Sequence, residues 1–120
     1  MLEFFKLRDI KVKKWMPLFL ALLTTNTFAG SASTGKLSKL HFMSNGVIIV
    51  YTSGARTDVP TCAQNQPSRF ALNGTTDGGK VQVSGLLSAY ATGKNVIIKG
   101  ASNCNAYGDT ESINYFRTVD

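Results

Sequence analysis

Asp77-Gly78-Gly79-Lys80-Val81-Gln82-Val83-Ser84-Gly85-Leu86-Leu87-Ser88-Ala89-Tyr90-Ala91-Thr92-Gly93 decides the fold, because it is the one helical stretch among strand-like runs. Val83, Leu86, Leu87 and Tyr90 fall at i, i+3, i+4 and i+7, which predicts a single apolar stripe facing the core. Lys80, Gln82, Ser84 and Ser88 then turn toward solvent or a neighbouring subunit. Asp77 predicts the N-cap of a helix starting near Gly78 or Gly79, and Gly93 its left-handed stop. Gly85 costs about 1 kcal/mol relative to alanine in a helix, so it predicts close packing against a strand.

Strands flank this helix on both sides. Upstream, Lys36 to Met43 alternates, with Ser38, Leu40 and Phe42 on one face and Leu37, Lys39 and His41 on the other. Asn45-Gly46 predicts a hairpin turn into the β-branched run Val47 to Thr52, a central strand with both faces partly covered. Ser53 to Pro67 reads as a long loop carrying Cys62, and Arg69 to Asn73 as a short strand closed by Asn73-Gly74. Downstream, Asn95 to Gly100 is a strand, Ala101 to Thr110 a loop carrying Cys104, and Glu111 to Val119 a last strand. The order β-β-β-α-β-β is mostly β with one helix, and predicts a five-stranded OB-fold-like barrel whose open end the helix plugs. An open α+β sheet with one covering helix uses the same elements and stays as the alternative.

Ahead of the first strand, Lys11, Lys13 and Lys14 precede the short apolar run Trp15 to Leu23, and Thr27-Phe28-Ala29 places small residues before a cleavage point. Residues 1–29 thus read as a secretory signal peptide, 30–35 as a flexible tail and 36–120 as a single domain. The apolar run is far short of the roughly 20 residues that span a bilayer, so no stable membrane anchor is expected after cleavage. Five of the 13 basic and two of the 7 acidic residues lie in the leader, leaving eight against five, a net charge of +3 instead of +6. That modest, scattered charge and the export signal argue against nucleic acid as a partner. Cys62 and Cys104, an even pair in an exported small domain, predict one disulfide.

Catalytic constellations are missing from the sequence. One histidine and two distant cysteines make no zinc-ligand pattern, so neither a metal site nor a cofactor is expected. His41 reads as a plain wall histidine, no G-x-S-x-G motif occurs, and Asp109 with Glu111 reads as a solvated loop pair. Gly78-Gly79-Lys80 lacks the spacing of a P-loop, and Asn73-Gly74-Thr75 reads as a turn. The residual sign of binding is aromatic and amide side chains at an OB-fold's usual ligand face. Tyr51, with Asn103, Asn105, Tyr107 and Asp109 of the Cys104 loop, offers rings to stack on sugars and amides to hydrogen-bond them. The same residues also read as core wall and a disulfide-pinned turn.

Leu86 to Gly100, followed by Cys104 and Glu111-Ser112-Ile113-Asn114-Tyr115, resembles a group of small secreted bacterial proteins. More distantly, the helix, Gly93-Lys94, strand and cysteine are similar to the receptor-binding B subunits of AB5 toxins of the pertussis and subtilase-cytotoxin kind. That resemblance implies a disulfide-stapled OB-fold, ring-like homo-oligomers and cell-surface glycan binding. The expected function is a periplasmic or secreted, non-catalytic binding module with a glycan receptor. A structural or inhibitory protein that binds another protein is the alternative.

Overall fold

The computed structural model describes residues 29–120. The expected leader, Ala29 apart, lies outside the described residues. Six strands and one helix follow in order: β1 (Ser31–Phe42), β2 (Val47–Thr52), β3 (Arg56–Thr57), β4 (Arg69–Asn73), α1 (Asp77–Thr92), β5 (Asn95–Gly100) and β6 (Glu111–Val119). A 3-10 turn, Thr61–Ala63, sits between β3 and β4.

Five of these strands close a barrel in the circular order β1-β2-β4-β6-β5-β1. Four of the contacts are antiparallel, and β4 meets β6 in parallel through Phe70↔Glu111 and Ala71↔Ser112. With the helix between β4 and β5, this is the OB-like barrel that the element order predicts. Closure depends on β1, which serves both halves: Ser31 to Lys36 pairs with β5, and Leu37 to Phe42 pairs with β2.

The N-terminal part of β1 corrects the expected flexible tail. Residues 31–35 lie in the sheet, because backbone pairing to β5 and to the extra strand β3 holds them despite their small polar side chains. Small residues are required here: a Cβ at Gly35 would press within 2.8 Å of the Gly54 Cα. A register shift between Leu37 and Lys39 then swaps the faces of the strand. Leu37 and Leu40, three apart, both turn inward, which strict alternation does not anticipate.

Inside the barrel, Leu37, Ile48, Val50, Phe70, Leu72, Val96, Ile98 and Ile113 pack with Leu86 and Ala89 of α1. The helix begins one residue earlier than Asp77 would cap it. Thr76 is the N-cap, its hydroxyl accepting from the Gly79 N–H at 2.9 Å, and Asp77 sits in the first turn where its charge suits the helix dipole. Gly93 (φ 68) ends it as expected, with the Lys94 N–H donating to the Ala89 carbonyl at 3.0 Å. Gly85 lets the Phe116 ring of β6 approach, since a Cβ there would come within 3.1 Å of its Cζ.

Only half of the predicted stripe is core. Val83 and Leu86 pack inward, whereas Leu87 is 44% and Tyr90 47% exposed. Ala89 takes the place expected of Tyr90, because the short residues Gly79, Gly85 and Ala89 let the helix sit close and turn it so that Leu87 flanks the contact. Leu86→Ala should therefore cost about 3 kcal/mol in urea unfolding, and Leu87→Ala less than about 1 kcal/mol. Equal losses at the two positions would contradict this orientation.

Candidate binding site

The outer face of β2 and β4 is apolar, as the continuous β-branched run demands. Val47, Ile49 and Ala71 form a second buried cluster outside the barrel, covered by Met43, Tyr51, Ala106 and Tyr107. Ala106 and Tyr107 belong to the loop between β5 and β6, which folds back over the barrel wall. Cys104 in this loop is disulfide-bonded to Cys62, with Cα atoms 6.2 Å apart. Backbone bonds add to that tether: Ala101 N–H to the Ser112 carbonyl and Ser112 N–H to the Asn103 carbonyl, both 2.8 Å.

Arg69 at the start of β4 gathers three of the five predicted site residues. Its Nη2 donates to Asp109 Oδ1 at 2.9 Å, its Nε to Thr110 Oγ1 at 2.9 Å, and its Nη1 lies 3.5 Å from the Tyr51 hydroxyl. The Tyr107 ring centre is 5.8 Å from the guanidinium carbon. Hydrogen bonding from the Thr110 hydroxyl, supported by Arg69, holds the Asp109 carboxyl below its ordinary value. Lys39 stands over the Tyr51 ring at 4.3 Å and His41 meets its edge at 5.5 Å. Sequence reasoning missed Arg69 and Lys39, which carry no motif; their one signal is alternation, which puts them on the outer face beside Tyr51.

Asn103 and Asn105 lie apart from that group. They line a cleft of about 260 Å³ between the start of α1, the end of β4 and the loop. Asn73, Thr76, Gln82 and Ser112 supply its other polar groups, over an apolar floor that includes Ala71 and Ile113. Several of these side chains are already held in place. Gln82 donates to the Asn114 carbonyl at 3.0 Å, Asn103 Oδ1 accepts from the Asn105 N–H at 3.0 Å, and Ser112 Oγ accepts from the Ala106 N–H at 3.0 Å. Asn73 Oδ1 accepts from the Thr75 N–H at 2.9 Å, the turn expected of Asn73-Gly74-Thr75. Gly79 is needed for helix packing, since a Cβ there would collide with the Asn73 carbonyl.

Beneath the loop, Glu111 is wholly buried, which corrects its reading as one of two solvated loop charges. Arg56 Nη2 reaches Glu111 Oε1 at 2.6 Å, with the two side chains 9% and 0% exposed. Oε2 accepts from the backbone N–H groups of Gly30 at 2.9 Å and Ser102 at 3.0 Å. Ser102 adopts the left-handed region (φ 66) while making this bond. Arg56 also donates to the Pro67 carbonyl at 2.6 Å and covers the Phe70 ring at 4.1 Å. Burial pulls its guanidinium below the ordinary value, and Glu111 opposes that pull.

Among the described residues, no group of three or more His, Cys, Asp or Glu side chains is placed to hold a metal ion. No described helix is long and apolar enough to cross a membrane. The disulfide fits an oxidising compartment outside the cytoplasm. Comparison with protein-family models, curated proteins and solved structures finds no match to this chain. Fold and bonding define the class: a small disulfide-containing β-barrel domain with an OB-like architecture.

Proposed function

We propose that the protein is an exported, non-catalytic module that binds glycans in the cleft between α1, β4 and the β5–β6 loop. The observation that carries this reading is the cleft's lining, four amide side chains and two hydroxyls around a small apolar floor. Amides both donate and accept, as sugar hydroxyls require, and about 260 Å³ suits one or two sugar rings. The disulfide and Arg69 hold the loop in place before any ligand arrives, which lowers the ordering cost of binding. In this reading Asn103 and Asn105 touch the sugar, and Tyr51, Tyr107 and Asp109 position the loop.

A glycan array probed with the folded mature chain tests the proposal. Selective retention of a saccharide is expected, and Asn105→Ala should weaken it about tenfold, the value of one lost hydrogen bond, with unfolding unchanged. A folded protein that retains no glycan, or binding indifferent to Asn105→Ala, overturns it.

One observation favours the second reading, a protein partner or a second copy of this chain. Val81 (73% exposed), Leu87 and Tyr90 leave apolar surface on the outer side of α1. Light scattering distinguishes these outcomes: a homo-oligomer that Leu87→Arg dissociates places this surface at a subunit contact.

A further inference from the structure

The buried carboxylate of Glu111 has a neighbour whose chemistry depends on processing. Gly30 is itself buried, and its nitrogen lies 2.9 Å from Glu111 Oε2. Its carbonyl accepts from the Gly100 N–H at 2.7 Å, so the residue is fixed from both sides. Only glycine fits: a Cβ at position 30 would press against Glu111 Oε1 and come within 2.7 Å of Arg56 Nη2. Gly100 is constrained by the same carboxylate, whose Oε1 would stand 2.7 Å from a Cβ there.

We propose that cleavage between Ala29 and Gly30 is a maturation step that converts this contact into a buried ion pair, with the new α-ammonium group of Gly30 bound to Glu111. A signal-peptidase-type endopeptidase hydrolyses the Ala29–Gly30 amide. Water adds to the Ala29 carbonyl carbon, the C–N bond breaks, and Ala29 leaves as a carboxylate. The nitrogen keeps the bonding electron pair and takes up two protons, balanced by the two that the water brings, so a neutral amide donor becomes a cation at the same place. A hydrogen bond between two charged groups is stronger than one with a neutral amide donor. Around the site, the Arg56 guanidinium and the Asp58 backbone carbonyl flank from the β3 side, Lys99 from β5 and Glu111 from β6. Lys99 Nζ lies 3.4 Å from the Ala29 carbonyl oxygen, a contact that departs with the leader.

This inference rests on the export signal and is independent of what the cleft binds. Intact mass of the exported protein should give a chain beginning at Gly30; a different mature N-terminus overturns the proposal. The ion pair itself is tested by comparing the Gly30 chain with a free amine and the same chain acetylated on that nitrogen. Acetylation keeps the N–H donor and adds only atoms that Ala29 supplies before cleavage, so it removes the charge and little else.

At pH 6 the folding equilibrium constant of the free-amine form should exceed that of the acetylated form by about tenfold or more, the equivalent of one pKa unit. Pairing with Glu111 raises the folded-state pKa of the amine, against the opposing pull of burial and of the nearby Arg56 and Lys99 charges. The advantage is therefore full below the ordinary α-amine range of about 7.7–8.0 and disappears as pH rises through the higher folded value. Glu111→Gln should abolish the difference between the two forms. Because that variant leaves Arg56 without its partner and can fail to fold, direct titration of the Gly30 nitrogen by NMR in the unaltered protein gives a second measurement. A midpoint raised by about one unit or more is expected. An ordinary midpoint, or equal stability of the free and acetylated forms, overturns the proposal.

Discussion

Arg56→Ala is expected to lower stability by about 3–5 kcal/mol, the cost of leaving a buried charge without its partner. Glu111 is 0% exposed, and Arg56 supplies the one side-chain cation bonded to it among the described residues. The substitution also uncovers the Phe70 ring, which lies 4.1 Å below the guanidinium and is itself fully buried. A double-mutant cycle separates the two losses. Arg56→Ala combined with Glu111→Ala should cost less than the sum of the single changes by at least about 1 kcal/mol, because removing both side chains leaves neither one facing the other's vacated place as an orphan charge. Additive losses in urea unfolding would show that the pair contributes packing alone.

Replacing Cys62 and Cys104 together by alanine has an expected effect of comparable size. The cysteines are 42 positions apart, and the chain-entropy treatment gives roughly 4 kcal/mol for closing such a loop. Part of the effect appears in the unfolded chain, which expands when the bridge is gone, so the urea m-value should rise as the midpoint falls. A second readout is local. The β5–β6 loop loses its covalent tether, and amide exchange at Ala106 and Tyr107 should accelerate more than at Val96 or Ile98 in the barrel. A midpoint within about 1 kcal/mol of the parent would show that Arg69 and the apolar cluster under the loop suffice without the bridge.

Where local chemistry determines structure, the sequence was a sound guide. Val47–Thr52, Arg69–Asn73, Asn95–Gly100 and Glu111–Val119 stand at their expected bounds, because turn residues and β-branched runs mark both ends. Where distant residues decide, it was not. Ser31 to Gly35 shows no alternation of its own and becomes strand only because β5 pairs with it. A register shift at Ser38 turns Leu37 and Leu40 to one face against the two-residue period. Leu87 and Tyr90 match the helical stripe, yet the close seating permitted by Gly85 gives the core to Leu86 and Ala89.

For the candidate residues the structure gives positions, and the sequence anticipated these in part. All five chosen residues lie on or beside one loop, but Arg69 gathers Tyr51, Tyr107 and Asp109 while Asn103 and Asn105 face the cleft. Glu111 was hidden for a plain reason. Its partners, Gly30, Arg56 and Ser102, are 81, 55 and 9 positions away, and no spacing rule connects them.

The double pairing of β1 also governs when the domain can form during synthesis. Its N-terminal half finds its partner in β5, 59 to 68 residues downstream, and β6 must join β4 to β5 before the ring is complete. Native contacts of such long sequence separation make for a slow folder, with little that persists in a partial chain. The polypeptide consequently stays open and threadable until most of its length has emerged, which under the proposed export is the condition that a narrow channel imposes on its cargo. In that reading closure falls to the far side, where the last strand and the oxidant for the cysteines arrive together.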